Sequence, residues 1–228
     1  VGQNQIVTAP TPTYSLYETL TKIQGAVFKD TPWPKDYSLP IDALIKCNAK
    51  LIFIVRPNAP TGHVVPLADI AELCNKTSGV VVLDEAYVDF AEDNGLSLLK
   101  DHDNLIITRT MSKSLALAGL RVGLGFTNPT LAREMHKVRD SYNLNRLSQA
   151  GAVAALENLA AYKPGIAAIR NERTRVTQEL QKRGFTVMQS QANYILATVP
   201  KQTLTGEGWL NALREKGYLI RYFGSDPR

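Results

Sequence analysis

What this sequence has little of narrows its chemistry first. Its 228 residues include two cysteines and three histidines. Cys47 and Cys74 stand apart, with no CxxC and no Cys/His group at metal-ligand spacing, so neither a structural metal nor a disulfide framework is expected. Two reduced thiols in or near the core suit a reducing compartment, and a cytoplasmic protein is expected. His63, His102 and His136 read as loop or helix-surface residues without a role. No apolar run approaches the ~18 residues of a membrane span, so no membrane partner is expected. The net charge of +5 is scattered, without a basic patch interleaved with aromatics, which argues against nucleic-acid binding. No GxGxxG or GxxxxGK[ST] turn occurs, which sets aside a plain nucleotide-binding domain.

What is present is an ordinary globular mix, 44% hydrophobic and 21% charged. Three short runs, Leu51–Val55, Val80–Leu83 and Leu105–Thr108, are apolar on both faces, as strands buried between helix layers must be. Between the first two lies Pro66–Lys76, with Leu67, Ile70, Ala71 and Leu73 at helical spacing. Strand, helix, strand in this order predicts an α/β fold with a mostly parallel sheet flanked by helices. Arg121–Phe126 is expected to add a further strand. From Pro129 onward the pattern is helical, with an Ala-rich stretch at Ser148–Ala161 and a helix over Gly165–Arg183 that Gly184 stops. Strands at Phe185–Met188 and Tyr194–Thr198, a helix near Leu204–Glu215 and a strand at Leu219–Tyr222 complete the reading. The expected division is a large unit over 1–145 and a smaller α/β unit over 146–228.

In open parallel sheets, ligands sit beyond the carboxyl ends of the strands. The first run is followed by Arg56-Pro57-Asn58-Ala59-Pro60-Thr61-Gly62. The second is followed by Asp84-Glu85-Ala86-Tyr87, and the third by Arg109-Thr110-Met111-Ser112-Lys113 and then Gly119-Leu120-Arg121. One rim thus collects an amide, a carboxylate, a phenol, hydroxyls, an amine and a guanidinium. Taken singly each has a bland reading: Asp84 as a helix cap or a partner of Arg109, Lys113 as a surface amine, Tyr14 as a core ring, Asn58 as turn chemistry. As a set they are the groups a pyridoxal 5′-phosphate (PLP) site needs. An amine bonds the aldehyde, a carboxylate faces the ring nitrogen, a donor meets the phenolic oxygen, and hydroxyls with an arginine hold the phosphate.

Ser112-Lys113-Ser-Leu-Ala-Leu-Ala-Gly119-Leu120-Arg121 resembles the lysine segment of the fold-type-I PLP-dependent aminotransferases. Asp84-Glu-Ala-Tyr87 is similar to that family's ring-nitrogen motif, and Pro57-Asn-Ala-Pro-Thr-Gly62 to its Asn-Pro-Thr-Gly turn. Pro10-Thr-Pro-Thr-Tyr14-Ser-Leu-Tyr17 and Gln191-Ala-Asn193-Tyr-Ile-Leu196 extend the likeness, which is greatest to the histidinol-phosphate aminotransferase branch. The resemblance implies that Lys113 bonds the cofactor and shuttles the substrate's proton, with Asp84 at the ring nitrogen and Tyr87 at the phenolic oxygen. It implies Ala86 on one ring face, Tyr14 on the other, and Ser112, Arg121 and Thr110 at the phosphate. Either Asn58 replaces the amide that relatives carry at the position of Ala59, or Tyr87 acts alone. Arg56 also departs from the family, which has a small or amide residue there.

The implied reaction takes L-histidinol phosphate and 2-oxoglutarate to imidazole acetol phosphate and L-glutamate, in a homodimer whose small-molecule partners are an amino donor and a 2-oxo acid. An N-terminal phosphate-binding turn, a tyrosine from the partner and a C-terminal substrate-binding arginine would lie outside this chain. Siblings on the same scaffold, an aromatic aminotransferase or a threonine-phosphate decarboxylase, share the Asp-Tyr-Lys set. A PLP-binding effector domain of a regulator is the non-enzymatic alternative.

Overall fold

A computed structural model describes residues 1–224. The chain opens with β1 (Ile6–Thr11), α1 (Leu16–Ile23), β2 (Val27–Pro32) and α2 (Ile41–Lys46). It continues with β3 (Leu51–Val55), α3 (Leu67–Lys76), β4 (Val80–Asp84), β5 (Leu105–Thr110) and β6 (Gly123–Phe126). These six strands form one sheet in the order β2-β1-β3-β4-β5-β6. All pairings are parallel except β5 with β6. The expected α/β fold is therefore present. From β1 the chain adds β2 on one side and then crosses to place β3 on the other, so the strand order reverses between β1 and β3. That reversal is where an open α/β sheet offers a crevice.

Strand alternation sorts the side chains. Ile52, Ile54, Val81, Leu83, Leu105 and Ile107 line one face, fully buried with Leu44 of α2 and Ile70 and Leu73 of α3. The opposite face carries Phe53, Val82 and, in register with Val55 and Thr108, Asp84. There α1 packs, with the Tyr17 ring stacked on Phe53 at 4.2 Å between centroids. An apolar face thus leads along β4 to one carboxylate at its end.

Helices dominate the rest: α4 (Pro129–Val138), α5 (Arg146–Glu157), α6 (Lys163–Lys182) and α7 (Gly206–Glu215), with β7 (Thr186–Val187) and β8 (Ala197–Thr198) as a separate antiparallel pair. Asn128 caps α4 by accepting from Thr130 and Leu131 N–H, with Pro129 in the first turn. Gly184, at φ +83°, ends α6. Ala152 and Ala155 of α5 pack on Met111, Leu115 and Val122, so this helix buttresses the loop that carries Lys113.

Two expectations need correction. Leu219–Tyr222 is not a strand: no ladder partner exists for it among the described residues, and Leu219 and Ile220 are exposed. His63 and His102 lie on loops, as expected, but not at the surface. His102 is buried, and His63 is packed between Trp33 and Tyr37, with ring centroids at 4.6 and 5.1 Å. Burial lowers the His63 pKa to about 4. His136 is exposed on α4, as expected.

Candidate active site

Every candidate residue lies at or just past the carboxyl end of β1, β3, β4 or β5, or on the loop that links β5 to β6. Asp84 ends β4. Its Oδ1 accepts from the Ala86 N–H at 3.0 Å, a local turn that fixes the carboxylate. Its Oδ2 accepts from the Tyr17 hydroxyl. Burial, and then the charge of Asp84, raise the Tyr17 pKa, so Tyr17 remains a donor across the physiological range. Tyr17 does not stand out in the sequence as a functional residue. The available signal was its place one helical turn beyond Tyr14, after the same strand end. Tyr14 itself is half-exposed, edge-on to Tyr17 at 5.6 Å. Arg109 does not neutralise Asp84: it forks onto buried Glu85, Nε at 2.9 Å and Nη2 at 2.7 Å.

Lys113 is exposed on the loop after β5, its Nζ 5.4 Å from the centre of the Tyr87 ring. Among the described residues it pairs with no carboxylate. Burial first, and the charge of Asp84 second, raise the Tyr87 pKa, so its hydroxyl also stays protonated. Ala86 is half-buried between Asp84 and Tyr87. Thr110 Oγ1 accepts from the Ser112 N–H at 3.1 Å, bending the chain toward Lys113. Arg121 takes the left-handed conformation, φ +55°, and its Nη1 donates to Ala118 O at 2.8 Å. The guanidinium is exposed on the same loop as Ser112.

Asn58 has a different setting from the one expected. Its Nδ2 donates to Thr61 Oγ1 at 2.8 Å and to Pro12 O at 3.2 Å, and the residue is 1% exposed. Both amide hydrogens are engaged in bracing the turn. Arg56 is likewise structural here: buried, it donates to Val65 O at 2.7 Å and pairs with Asp93 at 2.6 Å.

A carboxylate held by two donors, an amine without a counter-ion, a phenol beside it and a hydroxyl-rich turn with an exposed guanidinium thus share one rim. The family model for aminotransferase class I and II matches residues 2–226. The chain belongs to this aminotransferase family. Among its relatives, histidinol-phosphate aminotransferase 1 of Nostoc sp. strain PCC 7120 is 44% identical over 217 residues, 95% of this chain and 61% of that protein. A histidinol-phosphate aminotransferase of Geobacter sp. strain M21 is 39% identical over 227 residues, covering all of this chain and 64% of the relative. This aminotransferase chain therefore spans less than two thirds of the length of those curated relatives. Among solved structures, histidinol-phosphate aminotransferase from Sinorhizobium meliloti in complex with PLP matches at TM-score 0.90 and 25% identity, over the whole of this chain and 64% of that one.

Proposed function

We propose that this protein is a PLP-dependent aminotransferase that passes the amino group of L-histidinol phosphate to 2-oxoglutarate, giving imidazole acetol phosphate and L-glutamate. The observation that carries the reading is the Lys113 amine, paired with no carboxylate among the described residues and set against Tyr87 on the rim that Asp84 closes. The donor set fits PLP: an uncompensated anion for the ring nitrogen, an amine for the aldehyde, and hydroxyls with a guanidinium for the phosphate. When bound, PLP supplies an aldehyde that takes up the amino group and a ring that delocalises the electron pair left as the Cα–H bond breaks.

The chain's own residues do the rest. Asp84 would face the ring nitrogen and hold its proton, and Tyr17 and the Ala86 N–H keep its carboxylate aimed. Tyr87 would donate to the phenolic oxygen; the bracing of the Asn58 amide and the methyl at Ala59 support its acting alone there. Lys113 is the amine that would hold the cofactor aldehyde, and as a free amine it would move the proton between the substrate Cα and the cofactor's C4′. Ala86 and Tyr14 would cover the two ring faces, and Thr110, Ser112 and Arg121 would hold the phosphate and so keep the ring in place. The roughly 40% identity to relatives named for histidinol phosphate supports that donor over sibling chemistries. The reading extends to a homodimer in the cytoplasm, with a large unit over 1–145 and a small one over 146–228.

The test is donor specificity of the full-length protein loaded with PLP. L-Histidinol phosphate should bleach the visible cofactor band and, with 2-oxoglutarate, yield glutamate faster than phenylalanine or tyrosine do. If threonine phosphate or an aromatic amino acid reacts and histidinol phosphate does not, the substrate assignment is wrong while the cofactor assignment stands.

A further inference from the structure

The segment Ser190–Tyr194, between β7 and β8, reaches back to the rim. Gln191 N–H donates to Gly62 O at 2.8 Å, and Gln191 Oε1 accepts from the Glu92 N–H at 2.9 Å. The segment is thereby fastened both to the turn after β3 and to the loop after β4. Ser190 fits against Gly62 so closely that a Cβ there would lie 2.1 Å from its Oγ. Tyr194 extends from this strap into the site. Its hydroxyl donates to Asn58 O at 2.8 Å, and its ring meets the Tyr87 ring edge-on at 4.9 Å. The ring is therefore pinned at its backbone and at its hydroxyl, and Tyr87 packs on a wall that cannot swing. On this rim Tyr87 also neighbours the Lys113 amine, 5.4 Å from its ring centre.

We infer that Tyr194 is a positioning residue of the active site: held to the turn after β3, it fixes the ring of Tyr87 and so aims the hydroxyl that meets the cofactor's phenolic oxygen. The inference rests on the PLP reading above and adds a residue from the C-terminal unit to a site otherwise built on the sheet. The geometry explains how one phenol serves where Ala59 offers no amide: a single donor must be aimed well, because nothing beside it compensates for a misplaced hydroxyl.

The experiment follows the pH titration of the visible band in the full-length protein with PLP bound, without substrate. A donor to the phenolic oxygen lowers that band's pKa, so Tyr87→Phe should raise it. Tyr194→Leu removes the wall and should raise it by about half to one pH unit, the equivalent of one ordinary hydrogen bond. Tyr194→Phe keeps the ring, loses the tether, and should give a smaller rise. In a Tyr87→Phe background neither substitution should shift the band further, because Tyr194 acts only through Tyr87. An unshifted band in both single variants, or an equal shift with and without Tyr87, would overturn the inference. Should Tyr194→Leu not fold, the Tyr194→Phe pair decides alone. Absence of any band in the unsubstituted protein would instead strike the PLP reading itself.

Discussion

At the residue scale, the site depends on which polar groups are left free and which are engaged. Asp84 keeps its charge available because Arg109 is taken by Glu85. Its remaining support is Tyr17 and one backbone N–H. Tyr17→Phe should therefore lower kcat/KM about tenfold or more, the worth of one hydrogen bond to a charged group, while the variant still folds. Arg121→Ala should weaken PLP affinity by about 10- to 100-fold, measured by fluorescence titration, since charge-assisted contacts to phosphate are the strong ones. His63 gives a prediction of the opposite kind, on stability. Its pKa falls to about 4 in the folded protein and returns to about 6.5 on unfolding. Between those values the unfolded chain binds more protons, so stability should fall as pH drops through this window, by about 2 kcal/mol. Urea midpoints at pH 7 and pH 4.5 measure the loss, and His63→Gln should shrink it. The motif residues at Asp84, Tyr87 and Lys113 were legible in the sequence because rare types sit at fixed offsets after apolar strands. Tyr17 and Tyr194 were not, since an aromatic residue in a helix or strand reads as core until its hydroxyl is seen to have a polar partner.

At the element scale, β3, β4, β5 and α3 were readable because continuous β-branched runs and a clear helical stripe leave little ambiguity. The first fifty residues were not. β2 is an edge strand with a polar, mostly exposed sequence, and β1 ends in Pro10 and Thr11, so neither shows the buried-strand pattern. The 8-residue α1 has no side-chain cap to announce it. β6 was legible as a strand but not as antiparallel, because direction depends on the return path of the lysine loop. The strap makes a test at this scale. Gly62 has φ +76° and faces Ser190 at a distance no side chain tolerates. Gly62→Ala should lower stability by at least about 1 kcal/mol and raise the KM for the amino donor, because the turn and the strap can no longer both hold. A matched urea series with activity assays reports both effects.

At the scale of the whole molecule, composition and βαβ order were enough to give an α/β fold, whereas strand order was not. The reversal between β1 and β3 is a tertiary choice that no local window records, yet it places the crevice where Tyr17, Asn58 and Asp84 meet. The proposed homodimer predicts a full-length protein that sediments at twice its chain mass at micromolar concentration; a monomer would remove the partner's contribution from the account. The proposal turns on one residue, Lys113, as the amine that would bond PLP. The most direct test is borohydride reduction of the full-length protein with PLP, followed by peptide mass mapping. One pyridoxyl-phosphate adduct is expected, on the peptide containing Lys113, and none anywhere in Lys113→Ala. An adduct on another lysine, or an equal yield in the variant, would contradict it.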